Sequence, residues 1–216
     1  MTPISRIDGA QTRQKILSSA GQLFATLGFA DVTSKMICEH AQVDLTSINY
    51  HFSSRNDLYH TILERGQNIF FDQQRLDALL TLNLPAKSII ERMIDHLVSL
   101  VYLENNWDVK AFARELLAPT AHLQAIMQHA VWPKINAGIA AISMYTHLKG
   151  DDPILLATLI NAVSPCLILL SSSSKAIGPL QHLASLPQSE LNSYLKTYIF
   201  GGLDGIRSVA LHNPIT

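Results

Sequence analysis

The sequence predicts an all-α protein in two parts, a set of short N-terminal helices joined to a longer helical bundle. Apolar residues recur every three or four positions along most of the chain, and no stretch alternates as a β-strand would. Capping residues, glycine and proline separate these periodic stretches. Hydrophobic residues make up 48% of the 216 residues and charged residues only 15%, which is enough apolar material for a substantial core.

The N-terminal part begins with an arm and an amphipathic helix. We expect residues 1–9 to form a loose arm and Thr12–Leu27 to form the first helix, which Gly28 ends as a C-cap glycine. The second helix runs from Thr33 to about His40. The hydroxyl of Thr33 is its predicted N-cap.

A third, very short helix is predicted at Leu45–Phe52. Asp44 should cap it by accepting a hydrogen bond from the amide of Ser47. Ile48 and Phe52 lie four positions apart and face the core, whereas Thr46, Asn49 and Tyr50 point elsewhere. A helix that is half core and half polar or aromatic suits presentation to a partner. Two short helices joined by a tight turn form the layout of a DNA-binding helix-turn-helix.

The rest of the chain is predicted to remain helical. A fourth helix should start at Ser54 with a capping box to Asp57 and continue to about Leu80. The later predictions are Lys87–Glu104, Trp107–Leu117, a helix capped by Thr120 that Pro133 interrupts, Asn136–Leu148, an apolar helix Asp152–Ser171, a loop over 171–188, and Glu190–Leu211 capped by Ser189.

The segment from Ala41 to Tyr59, AQVDLTSINYHFSSRNDLY, resembles the N-terminal domain of TetR/AcrR-type transcriptional regulators. Their pattern runs approximately A-G-V-S-x-G-T-L-Y-x-Y-F-x-S-K-x-x-L, and the resemblance covers about the first 65 residues. The run Asn49-Tyr50-His51-Phe52 is most similar to the CecR-like branch. The resemblance implies a helix-turn-helix domain at residues 1–65 and a ligand-binding and dimerisation domain at residues 66–216.

Two residues depart from the family pattern. Gln42 replaces the usual turn glycine, and a non-glycine residue with positive φ costs roughly 1 kcal/mol. Asp44 stands where the family has a small neutral cap. Its carboxylate favours the helix start through the macrodipole, but it would repel a nearby phosphate.

The resemblance also implies the DNA contacts. An amide such as that of Asn49 can pair twice with adenine, and large apolar groups can pack on thymine methyls. The alternative for Tyr50 and His51 is simple packing against the fourth helix. For Arg6 and Arg13, entry into a minor groove and a solvated tail both remain open. The predicted base contacts are Leu45, Thr46, Asn49 and Tyr50, and the predicted phosphate contacts are Thr33, Ser47, His51 and Arg55. Lys35 is a further predicted phosphate contact because of its place beside Thr33.

Family members hold a small, largely apolar ligand inside the C-terminal bundle, so the resemblance implies an effector pocket there. Methionine and aromatic side chains adapt to irregular apolar ligands, although each residue taken singly is better explained by core or surface packing. The candidate lining residues are Met93, His96, Leu97, Tyr102, Trp107, Phe112, Arg114, Met127, Trp132 and Asn161, with Glu115 and Met144 as further candidates.

Composition limits the other classes of protein. The formal net charge is −1, so bulk charge is no argument for DNA binding. The lack of an apolar leader and the two separate cysteines, Cys38 and Cys166, predict a cytoplasmic protein with reduced thiols. Hydropathy alone permits a membrane span at Ile154–Ser174, but Asn161, Ser164 and Pro165 favour a dimerisation helix instead.

No catalytic or metal-binding motif stands out. His122 and His129 are seven residues apart on one predicted face, but they lack a carboxylate at a matching offset. We therefore expect no cofactor, no metal and no enzymatic activity.

The sequence thus predicts a ligand-responsive regulator, most simply a repressor. A homodimer formed through Asp152–Ser171 and Glu190–Leu211 would bind a near-palindromic double-stranded DNA operator and be released by a small apolar effector. A ligand-independent activator or architectural DNA-binding protein is the first alternative. A helical metal-dependent enzyme is the second.

Overall fold

A computed structural model describes residues 3–172 and 178–212, with side chains for residues 9–172 and 178–208. Within these ranges the chain is helical and contains no strand, which confirms the predicted fold class. The elements are α1 (Pro3–Leu27), α2 (Ser34–Ala41), α3 (Leu45–Phe52), α4 (Arg55–Phe70), α5 (Gln73–Thr81), α6 (Ala86–Val101), α7 (Trp107–Leu117), α8 (Ala121–Ile126), a π-helical turn (Met127–Val131), α9 (Trp132–Thr146), α10 (Pro153–Ser171), α11 (Pro179–Ala184) and α12 (Gln188–His212).

The chain forms two compact units. The N-terminal unit comprises residues up to Ile69 together with Asn105–Ala125, and the C-terminal unit comprises Phe70–Glu104 and the chain from Ile126 onward. Each unit is therefore discontinuous in sequence. The functional division at residue 65 remains a prediction.

The N-terminal unit has its core between α1, α2, α3 and α4, where Leu17, Ile37, Ile48 and Leu58 are fully or almost fully buried. Helix α7 packs on α1 within the same unit. A Cβ atom at Gly21 would lie 1.9 Å from Cε3 of Trp107, so only glycine leaves room for the indole.

A second close approach between two helices of this unit also requires glycine. A Cβ atom at Gly66 of α4 would lie 2.2 Å from the backbone oxygen of Asp108 in α7. These contacts fix α7 to helices that precede it by some forty to ninety residues.

Two predicted boundaries in the first 80 residues are wrong. Helix α1 begins at Pro3, so residues 3–9 are helical and not a loose arm, whereas residues 1 and 2 lie outside the described residues. Proline suits a first helical turn because that turn requires no amide donor. Helix α4 ends at Phe70 and not near Leu80, because Asp72 starts a new helix by accepting a hydrogen bond from the Arg75 amide at 2.9 Å.

The C-terminal unit packs α5, α6, α9, α10 and α12 together. Its core includes Ile89, Val98, Ala141, Leu155 and Leu191, all fully buried. The five helices form one apolar interior.

Two predictions in this unit, on the start of α9 and on the loop after α10, are wrong. Pro133 lies in the first turn of α9, which begins at Trp132 and not at Asn136. Proline has no amide hydrogen for the carbonyl four residues earlier, and the chain widens into a π-helical turn immediately before it. The predicted loop over 171–188 contains α11, which Pro179 begins, and residues 173–177 lie outside the described ranges.

Helix α12 begins one residue before its predicted N-cap. Ser189 lies inside the helix, because the carbonyl of Pro187 already accepts hydrogen bonds from the amides of Glu190 at 2.9 Å and Leu191 at 3.1 Å.

Helix α10 has one face in the core and one face outside it. Leu155, Leu169 and Leu170 are buried, whereas Ile154, Ile160 and Ile168 are exposed. By length and composition α10 is apolar enough to cross a membrane, but one such helix is weak evidence for a membrane span. The chain buries 22% of its most apolar stretch. The α10 face that the sequence predicts for dimerisation comprises Ile154, Leu155, Thr158, Leu159, Leu169 and Leu170. Of these, Leu155, Thr158, Leu169 and Leu170 are buried within the chain itself, which corrects most of that prediction.

Candidate nucleic-acid interface

The turn between α2 and α3 is built on a left-handed residue. Gln42 has φ 56° and ψ 50°, and its N–H bonds to the carbonyls of Cys38 and Glu39. The next amide, that of Val43, donates to the Cys38 carbonyl at 3.1 Å. Gln42 therefore takes the conformation for which the family pattern has glycine.

Both N-caps of this motif occupy their predicted positions, but only one caps with its side chain. The Thr33 hydroxyl accepts a hydrogen bond from the Met36 amide at 3.2 Å. The carboxylate of Asp44 makes no capping bond, which corrects the prediction. The amide of Ser47 donates instead to the backbone carbonyl of Asp44 at 3.0 Å, so it is already satisfied.

Helix α3 presents a mixed face to solvent. Ile48 and Phe52 are buried, while Leu45 is 57% and Tyr50 79% exposed. Packing against α4 does not account for Tyr50. The other two predicted base contacts, Thr46 and Asn49, are also exposed, so all four candidates lie on the outside of this helix.

The remaining phosphate candidates differ in their surroundings. Lys35 is exposed and its amine lies 3.8 Å from the carboxylate of Glu39. Ser47 is half-buried. His51 is also half-buried, with its ring centroid 4.9 Å from that of Tyr50.

Arg55 is bound within the domain. Its guanidinium donates hydrogen bonds to the carbonyls of Phe29 and Val32 and lies 4.1 Å from the centroid of the Phe29 ring. These bonds hold the loop between α1 and α2 against the start of α4. Arg13 lies similarly over Phe52, 4.5 Å from the ring centroid, whereas the side chain of Arg6 lies outside the described residues.

A buried polar network that the sequence did not reveal links α4 to α7. The Tyr59 hydroxyl donates to Oε2 of Glu115 at 2.6 Å, and Oε1 of Glu115 accepts from the amide of Thr120 at 2.7 Å and its hydroxyl at 2.6 Å. Burial, followed by this hydrogen bond, raises the pKa of Tyr59 above its ordinary value. Glu115 is thereby occupied inside the N-terminal unit.

The neighbouring Arg114 hydrogen-bonds to the C-terminal end of α1. Its guanidinium donates to the Leu27 carbonyl at 3.2 Å and the Thr26 carbonyl at 3.4 Å, next to Gly28 with φ 87°. The sequence predicts Arg114 and Glu115 as candidate lining residues of an effector pocket, and their spacing does not identify either of these partners.

His122 lies against a histidine that is distant in sequence. Nδ1 of His122 lies 3.1 Å from Nε2 of His60, while His129 is exposed. Burial, together with His60 and Arg55, lowers the pKa of His122, and Glu115 opposes this shift. Among the described side chains, no three His, Cys, Asp or Glu residues are grouped so that they could hold a metal ion.

The candidate effector-binding residues are divided between the units. His96 lies with Nε2 3.0 Å from the Phe70 carbonyl, and the Tyr102 hydroxyl donates to the Leu186 carbonyl at 2.7 Å. Their role in binding an effector remains a prediction. The N-terminal unit contains Trp107, Phe112 and Arg114, and the C-terminal unit contains Met93, His96, Leu97, Tyr102, Met127, Trp132 and Asn161.

The left-handed turn, the Thr33 cap and the exposed face of α3 define a helix-turn-helix domain of the kind that presents its second helix to DNA. Residues 16–62 match the profile of a family described as bacterial regulatory proteins, tetR family. No curated protein matches the chain.

Solved structures of regulators have a similar fold over nearly the whole chain. A TetR-like transcriptional regulator from Rhodococcus sp. RHA1 is 14% identical, with a TM-score of 0.68 over 90% of this chain and 96% of its own. AibR in complex with isovaleryl coenzyme A and operator DNA is 14% identical, with a TM-score of 0.67 over 86% and 96%. A SmeT–triclosan complex is 17% identical, with a TM-score of 0.59 over 88% and 90%. At these identities the likeness establishes a shared fold.

Proposed function

We propose that this protein is a cytoplasmic, ligand-responsive transcriptional regulator, most simply a repressor, that binds a near-palindromic operator as a homodimer. The observation that carries the proposal is the solvent-facing surface of α3, which follows a left-handed turn inside the segment that matches the family profile. Leu45 and Tyr50 supply apolar contacts for thymine methyls, and Asn49 supplies an amide for adenine.

Support for a homodimer comes from two exposed helix faces. Ile154, Ile160 and Ile168 of α10 are exposed, as are Tyr194 and Tyr198 of α12. Such an apolar surface is unfavourable in water, and a second copy can cover it through the same pair of helices. The proposed interface therefore uses α10 and α12, with the isoleucines of α10 at its centre.

An apolar effector is proposed from the fold. AibR was solved with isovaleryl coenzyme A and SmeT with triclosan, which both contain apolar groups. Release of DNA needs only an effector that binds the DNA-incompetent state more tightly, and a 100-fold preference corresponds to about 2.7 kcal/mol. Membership of the CecR-like branch, suggested by Asn49 to Phe52, is part of this proposal.

The proposal is tested by selecting genomic fragments on the purified protein. We expect enrichment of fragments that share a near-palindromic sequence, bound by two copies of the chain. The enriched duplex is then used in a competition assay against a library of apolar carboxylic acids, thioesters and aromatic compounds.

Each outcome distinguishes between functions. Failure to enrich any sequence would exclude sequence-specific regulation. Enrichment without release by any compound would favour a ligand-independent activator or architectural protein. Bound metal in the purified protein together with absent DNA binding would favour an enzyme.

A further inference from the structure

Asp44 stands out because its carboxylate has no partner in the motif that it begins. It occupies the N-cap position of α3 with φ −75° and ψ 153°, but its side chain makes no capping hydrogen bond. It is exposed, and its carboxylate forms no hydrogen bond or ion pair with the described part of the chain. A capping bond at this position is worth about 1 kcal/mol, so the residue forgoes stability that serine or threonine would supply.

The surroundings of Asp44 place it beside predicted DNA contacts. An open groove of about 580 Å³ runs along the turn of the helix-turn-helix, and Asp44 lines it together with Lys35, Glu39, Gln42 and Leu45. Lys35 is a predicted phosphate contact and Leu45 a predicted base contact. The carboxylate therefore lies on the surface that would face DNA.

The two carboxylates that line this groove, those of Glu39 and Asp44, differ in whether a cation is paired with them. The carboxylate of Glu39 lies 3.8 Å from the Lys35 amine, an exposed i,i+4 pair of small energetic value. No cation is paired with Asp44 in the described residues. A free carboxylate on a DNA-facing surface repels phosphate. It therefore weakens binding to every sequence unless it also forms a favourable hydrogen bond with a base.

We propose that Asp44 is a specificity-determining residue that accepts a hydrogen bond from a base amino group in the major groove, that of cytosine. This inference rests on the function proposed above. An ionised carboxylate only accepts hydrogen bonds, so it is repelled by the acceptors N7 and O6 of guanine and O4 of thymine.

Cytosine fits a carboxylate better than adenine does. Adenine also carries an amino group, N6, but its acceptor N7 lies beside that group in the major groove. On the cytosine ring the N4 amino group is flanked by the C5–H edge, which carries no acceptor. The carbonyl of the paired base, guanine O6 or thymine O4, adjoins the amino group in both cases, so the difference between the two bases lies in C5–H against N7. Asp44 thus adds a requirement for cytosine next to the base pair that Leu45 contacts.

The test is selection from random-sequence duplexes with the full-length protein and two variants. Wild type should enrich cytosine at one position of each half-site, with about a tenfold affinity advantage over other bases. Asp44→Ser should reduce this advantage to less than about twofold and bind non-specific DNA more tightly. Asp44→Asn should shift the preference to adenine, because an amide donates to N7 and accepts from N6.

Glu39→Gln is the matched control. It removes a carboxylate from the same groove and should alter salt dependence without altering base preference. Thermal unfolding of each variant checks that it is folded, and serine at an N-cap is expected to preserve the helix.

Two results would overturn the inference in distinguishable ways. If wild type enriches an operator and Asp44→Ser enriches the same bases at every position, Asp44 reads no base. If wild type enriches no sequence at all, the inference fails together with the proposed function.

Discussion

Helices α3 and α10 both expose large apolar side chains, but the side chains around them differ. On α3, Leu45 and Tyr50 alternate with the polar side chains of Thr46 and Asn49. On α10 the exposed large hydrophobic side chains are isoleucines, and a single exposed polar side chain, that of Asn161, lies among them. A face that is half polar suits the edges and methyl groups of base pairs, whereas a mainly apolar face suits another protein surface. The comparison indicates that the chemistry surrounding an exposed apolar residue, more than its exposure, identifies the partner.

The largest expected effect comes from charging the apolar face of α10. Ile160 is 56% exposed, and Ile160→Asp would bury a carboxylate in each copy of a symmetric dimer, at a cost of several kcal/mol per charge. We expect light scattering to show a dimer for wild type and a folded monomer for the variant at micromolar concentration.

Leu82→Asp is the matched control, since Leu82 is 50% exposed and lies outside both faces. It should remain dimeric. A monomeric wild type would contradict the proposal that the isoleucine face of α10 binds another protein surface. Recovery of wild type in the membrane fraction would instead assign that face to lipid.

Arg55→Ala should have the next largest effect, on stability. It removes two hydrogen bonds from a charged donor and the stacking on Phe29, for which we expect a loss of about 2–3 kcal/mol in the free energy of unfolding. Urea titration followed by circular dichroism measures it.

Arg55→Lys sharpens the interpretation, because it keeps the charge but loses the planar fork of donors. It should recover little of the lost stability. If Arg55→Ala unfolds like wild type yet binds all DNA more weakly, Arg55 serves as a phosphate contact.

Tyr50→Ala should have the opposite pattern. The side chain is exposed, so the free energy of unfolding should change little, while specific operator binding should weaken by about 1–3 kcal/mol. Fluorescence anisotropy with labelled operator measures the binding. Tyr50→Phe, which keeps the ring, should retain most of it, and unchanged binding by Tyr50→Ala would remove α3 from the interface.

The smallest effect concerns the histidine pair. Because the pKa of His122 is lowered in the folded protein, the unfolded chain binds its proton more readily, and acid favours unfolding. The contribution of His122 to stability is present above the ordinary histidine pKa of about 6.5 and is lost as the pH falls through the lower folded value.

We therefore expect the melting temperature to drop between about pH 7.5 and 5.5, and to drop less in His122→Gln. His129→Gln, which alters an exposed histidine, should behave as wild type. Equal drops in all three proteins would exclude His122 as the source.

Signals local in the sequence predicted the bounds of several helices of the N-terminal unit well. The bounds of α3 and α7 agree with their sequence predictions, because apolar periodicity, caps and the proline after α7 are encoded within a few residues. The positive φ of Gln42 followed from the family pattern at one position.

Long-range contacts explain what the sequence did not predict. Arg55 bonds to a loop more than twenty residues earlier, and His122 pairs with His60 across 62 positions. Neither partner is marked by spacing. Periodicity also identifies an apolar helix face without showing which neighbour covers it, so the sequence predicts a second copy against Leu155, Leu169 and Leu170, which the chain itself buries.

The insertion of Trp107 beside Gly21 has a spectroscopic consequence. The chain has two tryptophans, and one lies in each compact unit. The indole of Trp107 is buried, 5.3 Å from the Arg65 guanidinium, whereas Trp132 is substantially exposed. A shielded indole emits at shorter wavelength than a hydrated one, so the molecule carries two distinguishable intrinsic fluorophores. Phenylalanine at either position would leave a single probe, with which the melting of each unit can be followed without an added dye.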